Sequence, residues 1–173
     1  MPKILFNNIL LFVALVVAQA VIFNNLILFN CGVALIFIYF IIEMPITLGI
    51  NTLLTLSFLL GLSVDVFQDT PGLNAFVCTV IAFIKRPIFY FYVPRDEDLA
   101  GKRICINTAG REAYLKYMGT MTMIYCFLYF VVESINYYDP GRIFLRIIVS
   151  ALFTFIVLYA IDSLTLTRRE KRL

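Results

Sequence analysis

The sequence predicts an all-α membrane protein, a compact bundle of about six transmembrane helices, on three observations. Of its 173 residues, 62% are hydrophobic and the mean hydropathy is +0.93, well above the roughly 45–50% apolar content of a soluble domain. Charged residues make up only 14% and gather in residues 95–116 and 168–172, which marks those segments as water-facing. Apolar tracts near the length a helix needs to cross a bilayer, about 17–25 residues, recur along the chain.

The expected spans are 4–23, 26–42, 46–67, 73–93, 114–132 and 142–161. The first tract follows Met1-Pro2-Lys3 and lacks an A-x-A-like cleavage site, so it is expected to stay as a helix and not be removed as a signal peptide. Turn-forming residues punctuate the rest: Asn24-Asn25, Glu43-Met44-Pro45, Asp69-Thr70-Pro71-Gly72, a polar loop over 94–113, and Asp139-Pro140-Gly141. Connections this short make consecutive helices antiparallel neighbours, so residues 1–173 are expected to form one polytopic domain with a tail over 162–173.

Lys3, Arg95, Lys102, Arg103, Arg111 and the basic run at 168–172 fall on one side of this arrangement. The positive-inside rule then predicts an inner-membrane protein with both termini cytoplasmic. Asp69, Glu133 and Asp139 mark the opposite side, where Arg142 and Arg146 are exceptions. Lys85 and Arg86 lie inside the fourth tract and are expected to snorkel to the cytoplasmic face. Tyr90, Tyr92, Tyr114, Tyr117, Tyr137 and Tyr138 fall near predicted helix ends and read as interfacial anchors.

Several function classes are disfavoured. A net charge of +3, placed where topology alone puts it, gives no nucleic-acid footprint. Histidine is absent, which removes the usual general base and the commonest metal ligand. The four cysteines, Cys31, Cys78, Cys105 and Cys126, form no C-x-x-C pair. No cofactor, metal or catalytic set is indicated, and the expectation is a protein that is not an enzyme.

Polar residues inside the apolar tracts are the informative ones. A carboxylate at full bilayer depth costs about 2.5–3.5 kcal/mol, so Asp65 requires a partner, a cavity or the interface. Gly61, one turn earlier, suits close approach of a neighbouring helix. Thr47, Asn51, Thr55 and Asp65 fall near one line of the third helix at 100° per residue. Such a stripe either binds helices together by hydrogen bonds or lines a cavity. Arg142 and Arg146 share a face and offer ion-pair partners for Asp65, with Glu133 and Asp139 as competing partners for the arginines. Asp69-Thr70-Pro71-Gly72 has the composition of a tight turn.

The stretch Glu43-Met44-Pro45, Gly61-Leu62-Ser63-Val64-Asp65-Val66-Phe67 and Thr70-Pro71-Gly72-Leu73-Asn74-Ala75 resembles MreD, a small membrane protein family of bacterial rod-shape maintenance. The likeness extends to 19–25, Ala82-Phe83-Ile84-Lys85-Arg86-Pro87, Arg142-Ile143-Phe144-Leu145-Arg146 and Leu152-Phe153-Thr154, and so covers most of the chain. Asn74 departs from the family, standing where many relatives carry His. The resemblance implies an architecture similar to the S components of vitamin transporters, with Gly61, Asp65, Asp69, Pro71, Gly72 and Asn74 shaping a pocket or partner groove. It implies a non-enzymatic scaffold of cell-wall elongation that binds MreC and, through it, MreB, the RodA glycosyltransferase and a class B penicillin-binding protein. The alternative function is an S-component-like vitamin-binding subunit of an uptake transporter. Membrane lipid is an expected partner, and homodimerisation stays open.

Overall fold

A computed structural model describes residues 2–23, 27–28, 32–93, 104, 109–134 and 140–170. The chain is an all-α membrane bundle. Its elements are α1 (Pro2–Ala18), running directly into a π-helical turn (Gln19–Phe23), a two-residue antiparallel pair β1 (Ile27–Leu28) and β2 (Gly32–Val33), α2 (Ile38–Glu43), α3 (Ile50–Gln68), α4 (Leu73–Tyr92), α5 (Arg111–Glu133) and α6 (Pro140–Glu170). Helix α3, helix α4, helix α5 and the Ile143–Leu164 stretch of α6 are long and apolar enough to span a bilayer. Consecutive members of this series pack side by side, while α1, α2 and β2 close the bundle behind them. Large apolar side chains point outward from all four, among them Phe58, Val66, Phe83, Phe91, Phe127, Phe144 and Ile156. Such a surface belongs against lipid.

The second expected span is the main departure. Residues 26–42 do not form a membrane-length helix; the described part of that tract is the β1/β2 pair, a turn and the six-residue α2. From Ala34 to Ile42 every residue is between 0% and 3% exposed, so the segment is the centre of the core. A run apolar on all sides looks the same to hydropathy whether it faces lipid or is wrapped by protein.

Irregular backbone is tolerated at membrane depth only where the protein itself supplies its hydrogen bonds. Here other elements supply them. The Gln19 amide donates to the Ala34 carbonyl at 2.9 Å and accepts from the Ile36 N–H at 3.0 Å. The Leu35 N–H donates to Thr154 Oγ1 at 3.1 Å, and Thr154 lies halfway along the α6 span, which puts this contact deep in the bundle. Lys85 Nζ donates to the Ile41 carbonyl at 2.7 Å and to the Met44 carbonyl, holding the C-terminal end of α2, where a cation is favoured. Arg86 donates to the Leu48 carbonyl, and the Ile104 N–H to the Glu43 carbonyl.

These contacts correct the expectation that Lys85 snorkels: its side chain is wholly buried. Tyr114 and Tyr117 are likewise core residues and not interfacial anchors, whereas Tyr90 is partly exposed and Tyr92 half-buried. The Tyr114 hydroxyl donates to Asp162 Oδ1 at 3.3 Å, as does that of Tyr39 at 3.2 Å, and Tyr117 packs edge-on against Phe89. Helix α6 continues through the expected tail to Glu170. Cys78 and Cys126 are buried and unbridged. Asn24-Asn25, most of the loop over 94–113, Cys31, Cys105, Tyr137, Tyr138, Asp139 and the Arg142 side chain lie outside the described residues.

Candidate functional site

Helix α3 ends at Gln68 because Asp69 takes the left-handed conformation, φ 53°, with its N–H bonded to the Asp65 carbonyl. Aspartate is among the few residues that accept this geometry readily. Gly72 turns left-handed again at φ 80°, and α4 starts at the next residue. The Asp69-Thr70-Pro71-Gly72 turn is therefore formed as expected, and it returns the chain directly onto α3.

Gly61 sets how close the two helices come. A Cβ at this position would lie 2.5 Å from Ala75 Cα and from the Asn74 carbonyl oxygen, and 2.6 Å from the Ala75 nitrogen. That approach brings the Asp65 carboxylate, 3% exposed, onto the first turn of α4. Oδ1 accepts from the Asn74 N–H at 3.0 Å, from Asn74 Nδ2 at 2.9 Å and from the Thr70 hydroxyl, and Oδ2 accepts from the Ala75 N–H at 2.8 Å. Asp65 thus caps the helix that follows its own. Backbone donors left over at a helix start, together with the positive end of the helix dipole, offset the cost of burying the charge.

Asn74 extends the network. Its Nδ2 also donates to Gln68 Oε1 at 2.8 Å, and its Oδ1 accepts from the Tyr125 hydroxyl of α5 at 2.8 Å. Tyr125 in turn sits edge-on to Phe37 in the buried segment, with ring centroids 5.6 Å apart. One polar unit therefore joins α3, α4 and α5 and touches the core. Outside it, Leu62, Val66, Asp69, Thr70, Pro71 and Gly72 border an open cleft of about 610 Å³ that Asp65 also lines. Leu62, Val66, Asp69 and Pro71 are exposed there, Val66 to 72%. The corner thus has an occupied polar interior and a projecting outer ledge.

Two expectations about this site are corrected. Asp65 does not pair with Arg146, whose guanidinium meets Glu133 with both N···O distances at 3.3 Å and lies 4.9 Å from the Phe130 ring centroid. Backbone donors of α4 and neighbouring side chains take the place expected for the arginine. The polar stripe does not form one buried face that could bond helices together or line an interior cavity: Thr47 precedes α3, and Thr47, Asn51 and Thr55 are all exposed, while Asp65 is buried. Thr55 donates to the Asn51 carbonyl of its own helix at 2.8 Å. Helical phase puts Asp65 near the same line, but burial depends on what lies opposite, and the first turn of α4 covers Asp65.

The Arg146–Glu133 pair supports a direct prediction. Reversing either charge alone will lower thermal stability in detergent, and the exchange Glu133→Arg with Arg146→Glu will recover most of the loss. Both groups are partly exposed, so the coupling is expected at about 0.5–1 kcal/mol; equal melting of the single and double variants would exclude it.

A second buried polar group, Glu43, Lys85, Asp162, Tyr39 and Tyr114, lies toward the end of the bundle where α5 begins. The signal for it was present in the sequence as charges interrupting apolar tracts. Among the described residues no group of three or more His, Cys, Asp or Glu is placed to hold a metal ion.

Fold and site define a polytopic helical membrane protein with a buried irregular segment at its centre and a carboxylate-capped interhelical corner at one end. No family model, curated protein or solved structure matches the chain.

Proposed function

We propose that this chain is a non-enzymatic membrane scaffold of the MreD type, which binds the transmembrane helix of MreC and helps position cell-wall elongation in the bacterial inner membrane, with both termini cytoplasmic. MreB filaments, RodA and a class B penicillin-binding protein are its indirect partners in this reading. The observation that carries it is the full engagement of Asp65: with Thr70, Asn74 and Ala75 as donors, its carboxylate serves to fix the corner. What the corner then offers a neighbour is the ledge of Leu62, Val66, Asp69 and Pro71. Exposed apolar residues beside a rigid turn suit association with a single helix in lipid, where packing drives assembly. The ordered motifs shared with the MreD family around the same residues support the same reading.

The open cleft at this corner keeps the vitamin-binding subunit as the competing reading. The discriminating experiment is gentle solubilisation of the tagged chain from its native host, followed by mass spectrometry of co-purifying proteins. Recovery of MreC with elongation enzymes is expected. Recovery of an ATPase transport module without them would replace the scaffold with the uptake subunit.

A further inference from the structure

We propose that the groove between α5 and α6 holds an acyl chain of an anionic phospholipid whose phosphate is engaged by Lys116. The groove measures about 610 Å³, and Leu115, Met123, Ile148, Ala151 and Leu152 are among its mostly apolar walls. Gly119 forms part of its floor: a Cβ there would meet only the Phe155 ring, at 3.4 Å, so the hollow is bounded by side chains and not by closely packed backbone.

Polar groups gather toward the start of α5. The Thr120 hydroxyl donates to the Lys116 carbonyl at 2.8 Å, so in its 2.8 Å contact with the Tyr92 hydroxyl it is the acceptor, and both protons are committed. Among the groove-lining side chains this leaves the Lys116 ammonium with protons to donate. Its ion pair is a 3.9 Å approach to Glu112, with the two side chains 66% and 91% exposed, and such a pair is worth little in water. Arg111 reaches the Tyr159 hydroxyl of α6 at 3.4 Å and adds a second cation at the same end. An apolar hollow between membrane helices that ends at cations is complementary to a lipid with a net negative headgroup. A zwitterionic headgroup would bring its own cation against Lys116.

The test is native mass spectrometry of the full chain released from detergent, with phosphatidylglycerol and phosphatidylcholine of identical acyl chains as probes. Wild type is expected to retain phosphatidylglycerol about thirtyfold over phosphatidylcholine, the ratio for a favourable term of about 1 kcal/mol for each of the two basic residues. Lys116→Gln, at an exposed position, is expected to bring that ratio down to about fivefold, the share left to Arg111, without loss of total lipid. Gly119→Leu fills the hollow and is expected to reduce retention of both. Equal retention of the two lipids by wild type, or a preference unchanged in Lys116→Gln, overturns the proposal. Should Gly119→Leu not fold, the lysine variant alone decides.

Discussion

Gly61→Val will prevent accumulation of the folded protein. The new side chain would start 2.5 Å from backbone atoms of Asn74 and Ala75, and no rotamer relieves a clash made by Cβ itself. Relief requires α3 and α4 to separate, which also pulls Asp65 away from the N–H groups of Asn74 and Ala75. Overpacking alone costs about 1–3 kcal/mol. Each buried donor left without a partner adds about 1–3 kcal/mol. The combined loss is comparable to the whole stability of a small domain. Gly119→Ala is the matched control, since its Cβ meets only a side-chain ring at 3.4 Å, and it should shift the detergent melting curve little. Similar melting of the two variants would show that the α3–α4 approach is looser than described.

Lys85→Met will destabilise the core next most severely. The substitution keeps length and removes the donors that hold the Ile41 and Met44 carbonyls at the end of α2. Methionine avoids the desolvation cost of an ammonium, so the expected loss is that of the two stranded acceptors, about 2–4 kcal/mol. A surface lysine at the end of a membrane helix would tolerate the change. The readout is melting temperature together with protease sensitivity of the 34–49 segment, and an unchanged value for both would return Lys85 to the snorkelling role that its position in the tract suggests.

Helices α3, α4, α5 and α6 were legible in the sequence because each carries enough apolar residues to span, and the breaks between them hold Pro, Gly and Asp at turn positions. The tract at 26–42 was not, because its hydropathy is that of a span while its backbone is bonded by Gln19, Lys85 and Thr154 from three different places in the chain. Those residues were visible as polar interruptions, and only the fold shows that they converge on one segment. Asp65 was legible as a charge in need of a partner. Its partners are mostly local: backbone N–H groups a few residues on and the Thr70 and Asn74 side chains. Composition points to arginines, whereas a helix N-terminus carries no letter of its own. The stripe of Thr47, Asn51 and Thr55 failed for the complementary reason, since periodicity assigns a face but not what covers it.

In the proposed reading the Asp65 corner is a structural clamp presenting a partner surface. That role is tested most directly by comparing Leu62→Ala/Val66→Ala with Asp65→Leu for MreC recovery and thermal stability, at matched membrane abundance. Leu62 and Val66 are exposed, so the double variant should melt as wild type does. It should also lose at least about tenfold in MreC recovery, the effect of removing roughly 1.4 kcal/mol of contact energy. Asp65→Leu should lose stability first and partner with it. Full MreC recovery by a stable double variant would contradict the account.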